Sequence, residues 1–312
     1  MEVNRDLFRF NSADGKNKIQ GYLYVPEGKA RGILQISHGM SEHFLRYDDF
    51  AKFLAGRGYV VCGNDHLGHG ATVEVDTDYG HIADENGWQY LLEDLHTVTK
   101  KIRKKYPKLP FYLLGHSMGS FLARLYLAEY PEEADAAIIM GTSGDNQSLP
   151  LGLCFCNLTI SLQGYRHRSL LLDYLAFGAY NRRIPQNKTK FDWLSRDHRV
   201  VEEYIADPKC GFLFTASSFK TMFTLLQKVS NKSWVKALNP ELPVYMLAGE
   251  MDPVGNYGQG VKVVYEKMKQ HGMQDVTLKL YPGARHELLN ETNRQEVYED
   301  ILSWLESKGG NK

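Results

Sequence analysis

Short apolar runs recur along this chain, separated by stretches whose apolar positions fall three and four apart. Residues 32–37, 59–64, 111–114, 136–140, 242–248 and 276–281 read as strands, and most are apolar throughout, as strands covered on both faces are. Residues 19–25 instead alternate, which predicts a half-exposed antiparallel strand. Between the runs, Leu91, Leu95, Val98 and Ile102 fall at helical spacing, in a helix that stops before Tyr106-Pro107. Similar patterns predict helices near 47–56, at 121–128, around Val261, Val264 and Met268, and at the C-terminus. Strands alternating with helices imply an α/β fold with a mostly parallel sheet, and right-handed crossovers make it doubly wound.

The alternation breaks down between 144 and 236. Apolar runs such as Leu170-Leu171-Leu172 and Phe212-Leu213-Phe214 lie there beside a basic patch at Arg182-Arg183. The chain therefore divides into a first core part, 1–143, an insertion, 144–236, and a second core part, 237–312. Lys plus Arg and Asp plus Glu balance at 37 each over 312 residues, so nothing draws the chain to nucleic acid or an anionic surface. The N-terminus shows no charged-then-apolar leader and no apolar run is long enough to span a bilayer, so a cytoplasmic location is expected. Cys62, Cys154, Cys156 and Cys210 do not form a disulfide framework for a chain of this length, and Cys154-Phe155-Cys156 lacks the companions of a zinc site.

The stretch Gly115-His116-Ser117-Met118-Gly119 lies between an apolar run and a helical pattern, the setting of a serine nucleophile on a sharp turn. A serine hydroxyl needs a general base, and the base needs an orienting acid. His286 follows the last strand, whereas His167 and His198 lie in the insertion and His271 ends a helix. Asp252 follows the strand at 242–248, with Glu250 and Asp275 as competitors. Both His286 and Asp252 sit just past a strand's carboxyl end, where open α/β sheets gather functional groups.

His38-Gly39-Met40-Ser41-Glu42-His43, Asp65-His66-Leu67-Gly68-His69-Gly70 and the Ser117 pentapeptide resemble the monoacylglycerol lipase and lysophospholipase branch of the α/β-hydrolases, near the serine aminopeptidases. Gly249-Glu250-Met251-Asp252-Pro253-Val254 and Gly283-Ala284-Arg285-His286-Glu287 fit the same branch, and the likeness covers roughly 10–143 and 237–308. It implies Ser117, Asp252 and His286 as catalytic residues, in the order Ser, acid, His. It also implies the Met40 and Met118 backbone N–H groups as the oxyanion hole, and a mostly helical cap formed by 144–236. Glu42 and Arg46 near the mouth then contact a small polar head or brace the oxyanion loop.

The activity implied is hydrolysis of monoacylglycerol-like or lysophospholipid-like carboxylic esters through an acyl-enzyme, with transient membrane or micelle contact through the cap and no cofactor. Three alternatives stand beside it. One is amide or peptide cleavage, whose amine would need acids such as Glu202, Glu203 or Asp207; another is small or aromatic ester cleavage; the third is a non-catalytic ligand-binding relative. The histidines His38, His43, His66, His69 and His116 invite a metal reading, but His66-x-x-His69 lacks the companions of a zinc motif, so no metal is expected. The Ser-x-x-Lys matches at 217–220 and 233–236 likewise lack theirs.

Overall fold

The computed structural model describes residues 4–231 and 233–309. Its strands are β1 (Arg5–Asn11), β2 (Lys18–Tyr24), β3 (Gly32–Ser37), β4 (Tyr59–Asn64), β5 (Phe111–His116), β6 (Ala136–Met140), β7 (Val244–Gly249) and β8 (Val276–Tyr281). They form one sheet in the order β1-β2-β4-β3-β5-β6-β7-β8. Only the β1–β2 and β2–β4 pairings are antiparallel; the other five are parallel. The expected doubly wound α/β sheet is what forms.

Helices α1 (Asp48–Ala55), α2 (Gly87–Lys105) and α3 (Met118–Glu129) follow β3, β4 and β5. Between β6 and β7 come α4 (Leu149–Gln163), α5 (Leu170–Phe177), α6 (His198–Ala206), α7 (Ala216–Ser230) and α8 (Ser233–Lys236). Helices α9 (Gln259–Gln270) and α10 (Arg294–Gly309) flank β8. One face of the sheet packs with α2, α3 and α9, the other with α1 and α10, so each face has its own apolar cluster. Helix α7 joins the first cluster, packing on α2 and α3 through Phe219, Leu225 and Val229. Part of the intervening segment is thus built into the core.

At the N-terminal edge one element is new and one expectation is corrected. Strand β1 was not foreseen, because Arg5–Asn11 is largely exposed and carries a polar residue at almost every second position. Its presence moves β2 off the sheet edge: β2 is buried from Ile19 to Tyr24 rather than half-exposed. Gln20 is buried there by satisfying its amide on the Phe8 and Gly21 carbonyls. Gly21 leaves room for the Phe8 ring of β1, which would lie 2.3 Å from a Cβ there.

Candidate active site

Strand β5 runs two residues past the expected end and delivers Ser117 directly into the turn before α3. Ser117 has φ 54° and ψ −123°, a backbone conformation that side chains rarely adopt. Its N–H donates to the Met140 carbonyl at 3.0 Å, tying the turn to the end of β6. The flanking glycines let the chain close: a Cβ on Gly119 would sit 2.1 Å from the Ser37 carbonyl, and one on Gly115 would sit 2.4 Å from that of Gly119. Helix α3 therefore rests against β3, and a strained serine is held by its surroundings.

The loops after β7 and β8 bring Asp252 and His286 together. Asp252 Oδ2 lies 3.0 Å from His286 Nδ1, and both side chains are buried. The other carboxylate oxygen accepts from the Val254 N–H at 2.9 Å. Donation from Nδ1 to Asp252 leaves Nε2 as the ring nitrogen able to accept a proton. Glu250 is exposed, so the structure pairs His286 with Asp252 rather than with its neighbour. A Cβ on Gly141 would come within 3.0 Å of His286 Cε1, which explains the glycine after β6. The segment between β6 and β7 covers His286: the Trp193 ring lies 5.0 Å from the His286 ring, and the Glu287 N–H donates to the Leu194 carbonyl at 2.8 Å.

The loop after β3 is held from below. Glu42 Oε1 accepts from the Gly39 N–H at 2.5 Å and from the Tyr47 hydroxyl at 2.8 Å. Burial works against its charge, but the hydrogen bond from His116 and the charge of Arg46 outweigh burial and hold the Glu42 carboxyl well below its usual range. Arg46 is ion-paired with Glu42 at 3.4 Å and with Glu287, and its guanidinium packs over the Tyr204 ring. Arg46 is therefore off the cavity wall, and of the two expected contacts only Glu42 lines it. Both side chains have their charges satisfied inside the protein, so they brace the loop. Sequence reasoning missed Tyr47, Glu287 and the role of His116 in this network.

The other histidines of the first third bracket loops. His38 donates through Nδ1 to the Gly39 carbonyl at 2.8 Å and accepts at Nε2 from the His66 N–H at 3.0 Å. His69 donates to the Leu67 carbonyl and accepts from the Ser41 N–H. Burial pushes His66 down to about 3 and His69 down to about 4, so both are neutral. His43, Asp207 and Cys210 place one donor atom each within 4.8 Å of one another. His43 Nε2 is already 2.9 Å from Asp207 Oδ2, and burial pushes the Cys210 thiol up, which works against metal ligation.

Ser117, Met40, Met118 and His286 all line one cavity of about 820 Å³. Its wider wall is apolar and comes from the segment between β6 and β7: Leu149 and Phe155 on α4, Leu172 and Phe177 on α5, Met222 and Leu226 on α7. The N–H of Met118, in the first turn of α3, has no acceptor within its helix. Asp173, Lys190 and Asn256 add polar groups to the same wall.

A sheet of this order, with a serine turn after β5 and an Asp–His pair after β7 and β8, defines an α/β-hydrolase of the serine hydrolase class. The model of the family described as serine aminopeptidase, S33, matches residues 28–293, and the chain belongs to that family. The match runs through 144–236, where the motifs had offered nothing. The chain is 28% identical to the human monoglyceride lipase over 315 residues, covering 97% of this chain and 91% of that one. It is equally similar, at 28% over 289 residues, to the monoacylglycerol lipase of Mycolicibacterium smegmatis, with 91% of each chain covered. Among solved structures, a thermostable carboxyl esterase from Bacillus coagulans in complex with glycerol superposes with a TM-score of 0.92 at 32% identity, covering 99% of this chain and all of that one. No helix among the described residues is long and apolar enough to cross a membrane.

Proposed function

We propose that this serine hydrolase cleaves carboxylic esters of the monoacylglycerol type, with Ser117 as nucleophile, His286 as base and Asp252 as the orienting acid. The observation that carries the reading is the buried Asp252–His286 pair opening, beside a strained serine, into a cavity walled by apolar side chains. His286 takes the Ser117 proton as the oxygen attacks the acyl carbon, and Asp252 stabilises the imidazolium that forms. The Met40 and Met118 N–H groups stabilise the oxyanion. His286 then protonates the departing alcohol, and a water activated by the same ring hydrolyses the acyl-enzyme to free acid and serine.

Residues 144–236 act as a cap in this reading, its inner wall receiving the acyl chain while Asp173, Lys190 and Asn256 face a small polar head. The similarity to monoglyceride lipases and to an esterase bound to glycerol supports an alcohol of that size. Leu158 and Leu162 on α4 and Leu170, Leu171 and Tyr174 on α5 are exposed, at 53% to 76% of their surface. An apolar face of this kind suits transient contact with a micelle or membrane that holds the substrate. All four cysteines are free, which fits a reducing compartment such as the cytoplasm. Amide cleavage is the weaker reading, because Glu202, Glu203 and Asp207 are not on the cavity wall and offer nothing to a substrate amine.

A panel of p-nitrophenyl and glyceryl esters from acetyl to palmitoyl, set beside aminoacyl p-nitroanilides, tests this. Each buried methylene contributes about 0.8 kcal/mol at most, or about fourfold in kcat/KM. Specificity should climb over several carbons and fall once the chain outgrows the cavity, with anilides far slower. A flat ester series, or anilides cleaved as fast as esters, would contradict the proposal.

A further inference from the structure

Directly behind Ser117 lies a group of buried charges that the reaction above does not use. His116 ends β5 and is buried, with partners at both ring nitrogens. Nε2 lies 3.3 Å from the backbone oxygen of His286, which can only accept, so Nε2 carries a proton. Nδ1 lies 2.8 Å from the Tyr47 hydroxyl and 3.3 Å from Glu42 Oε1. Tyr47 has a single hydroxyl proton, and its oxygen lies 2.8 Å from the same carboxylate oxygen. Donating to Glu42 leaves Tyr47 only lone pairs to offer Nδ1, so Nδ1 is protonated as well. Were Tyr47 to turn its proton to Nδ1, its lone pairs would face a buried carboxylate with nothing between them, an expensive arrangement.

Charge balance leads to the same state. Glu42 and Glu287 are two buried carboxylates sharing the one guanidinium of Arg46. A neutral His116 would leave this cluster with a net buried negative charge; an imidazolium cancels it. Burial alone would strip the His116 proton, but the hydrogen bond and charge of Glu42, then Glu287 and the His286 carbonyl, raise its proton affinity above the ordinary histidine value. The groups facing the ring are thus Glu42, Tyr47, Glu287 and the His286 ring at 4.7 Å, with Arg46 behind the two carboxylates.

We propose that His116 is a standing imidazolium that works as a positioning residue, joining the oxyanion loop to the loop of the catalytic base. On one side it holds Glu42, which holds the Gly39 N–H and so the backbone leading to Met40. On the other it holds the His286 backbone through Nε2–H. Loss of the His116 proton at alkaline pH removes one of these two links and so uncouples the oxyanion loop from the loop of the catalytic base. The loss falls on kcat rather than KM, because neither link touches the acyl chain.

This rests on the reading of Ser117 and His286 given above, and its tests separate the two. Nitrogen-15 NMR of the intact protein at pH 7, with the His116 signals assigned by their disappearance in His116→Gln, should show both ring nitrogens protonated. A His116 with one unprotonated nitrogen at pH 7 overturns the proposal, whatever the variants do. Glu42→Gln removes the charge that sustains the imidazolium and should bring the alkaline limb of the kcat profile down by about one to two pH units, with KM altered less than about twofold. An alkaline limb unchanged in Glu42→Gln would also overturn it. A wrong nucleophile would show instead as a fluorophosphonate adduct away from Ser117, an observation that the state of His116 does not affect.

Discussion

Helices α2 and α5 are both rich in leucine, yet they obey different rules. Helix α2 buries Leu91, Leu95, Val98 and Ile102 along one stripe and leaves its lysines to solvent. Helix α5 buries only Leu172, while Leu170, Leu171 and Tyr174 are exposed and Phe177 lines the cavity. The first helix buries its apolar residues in one cluster, between the sheet and its neighbours α3 and α7, and its sequence records that one-sided burial as a period of 3.6. The second divides its apolar residues among the core, the cavity and open solvent, so no single period survives. The same contrast separates α9 from α4, which buries only Leu149 and Cys156. In α4 and α5, apolar residues without a single period go with helices that divide their side chains between the cavity and solvent.

The largest effect belongs to the periodic region. Asp252→Asn should lower kcat by about 10⁴, the loss seen when an unrelated triad loses the acceptor that sets its histidine tautomer. Exposed Glu250→Gln should stay within about twofold of the parent. Equal losses in steady-state ester assays would move the acid to Glu250.

A second change attacks the seam between the two regions. The Arg124 guanidinium on α3 donates to Thr142 Oγ1 at 3.2 Å, to the Ser143 carbonyl at 2.9 Å and to the Val229 carbonyl, and it lies over the Trp234 ring. It thereby fastens both ends of the intervening segment to the core. Arg124→Ala leaves buried carbonyls unpaired and should cost about 3 kcal/mol in denaturant unfolding. A loss below about 1 kcal/mol would mean that the segment is held elsewhere.

The aperiodic region yields a smaller, more selective effect. Replacing exposed Leu170 and Leu171 with serine should leave turnover of a dissolved butyrate ester within about twofold and lower turnover of micellar monoacylglycerol by about fivefold, since little core packing is lost. Equal effects on both substrates would remove the reason to see α5 as a contact face.

The smallest effect concerns pH. The proton affinity of His116 is raised on folding, so its contribution to stability is complete below the ordinary histidine value near 6.5 and is lost as pH climbs through the raised value. The melting temperature of the parent should therefore fall more steeply than that of His116→Gln on the alkaline side, by about 1–3 °C over that window. Parallel curves would place the proton elsewhere.

Legibility in the sequence followed chain distance. Ser117 stood out because its strand, turn and helix are contiguous; the strand count placed Asp252 and His286 after later strands, but the family resemblance, not the count, put Asp252 ahead of Glu250 and Asp275. The Tyr47–His116 contact joins residues 69 apart and the Arg46–Glu287 pair residues 241 apart, and neither leaves a local signal. Strand β1 escaped because its pairing with β2, rather than its own hydrophobicity, holds it in place. Where 144–236 turns was not readable at all, for the reason that α5 makes plain.

The central claim is that Ser117 is the activated nucleophile, and a fluorophosphonate reports on it without any choice of substrate. Phosphorus–oxygen bond formation with loss of fluoride needs a serine whose proton is taken by a neighbouring base, a condition no ordinary surface serine meets. Intact-mass and peptide mapping of the treated protein should show one adduct, on Ser117, with ester hydrolysis lost in proportion and no adduct in Ser117→Ala. Labelling that persists in Ser117→Ala, or an adduct that maps to Ser143 on the neighbouring loop, would contradict the account.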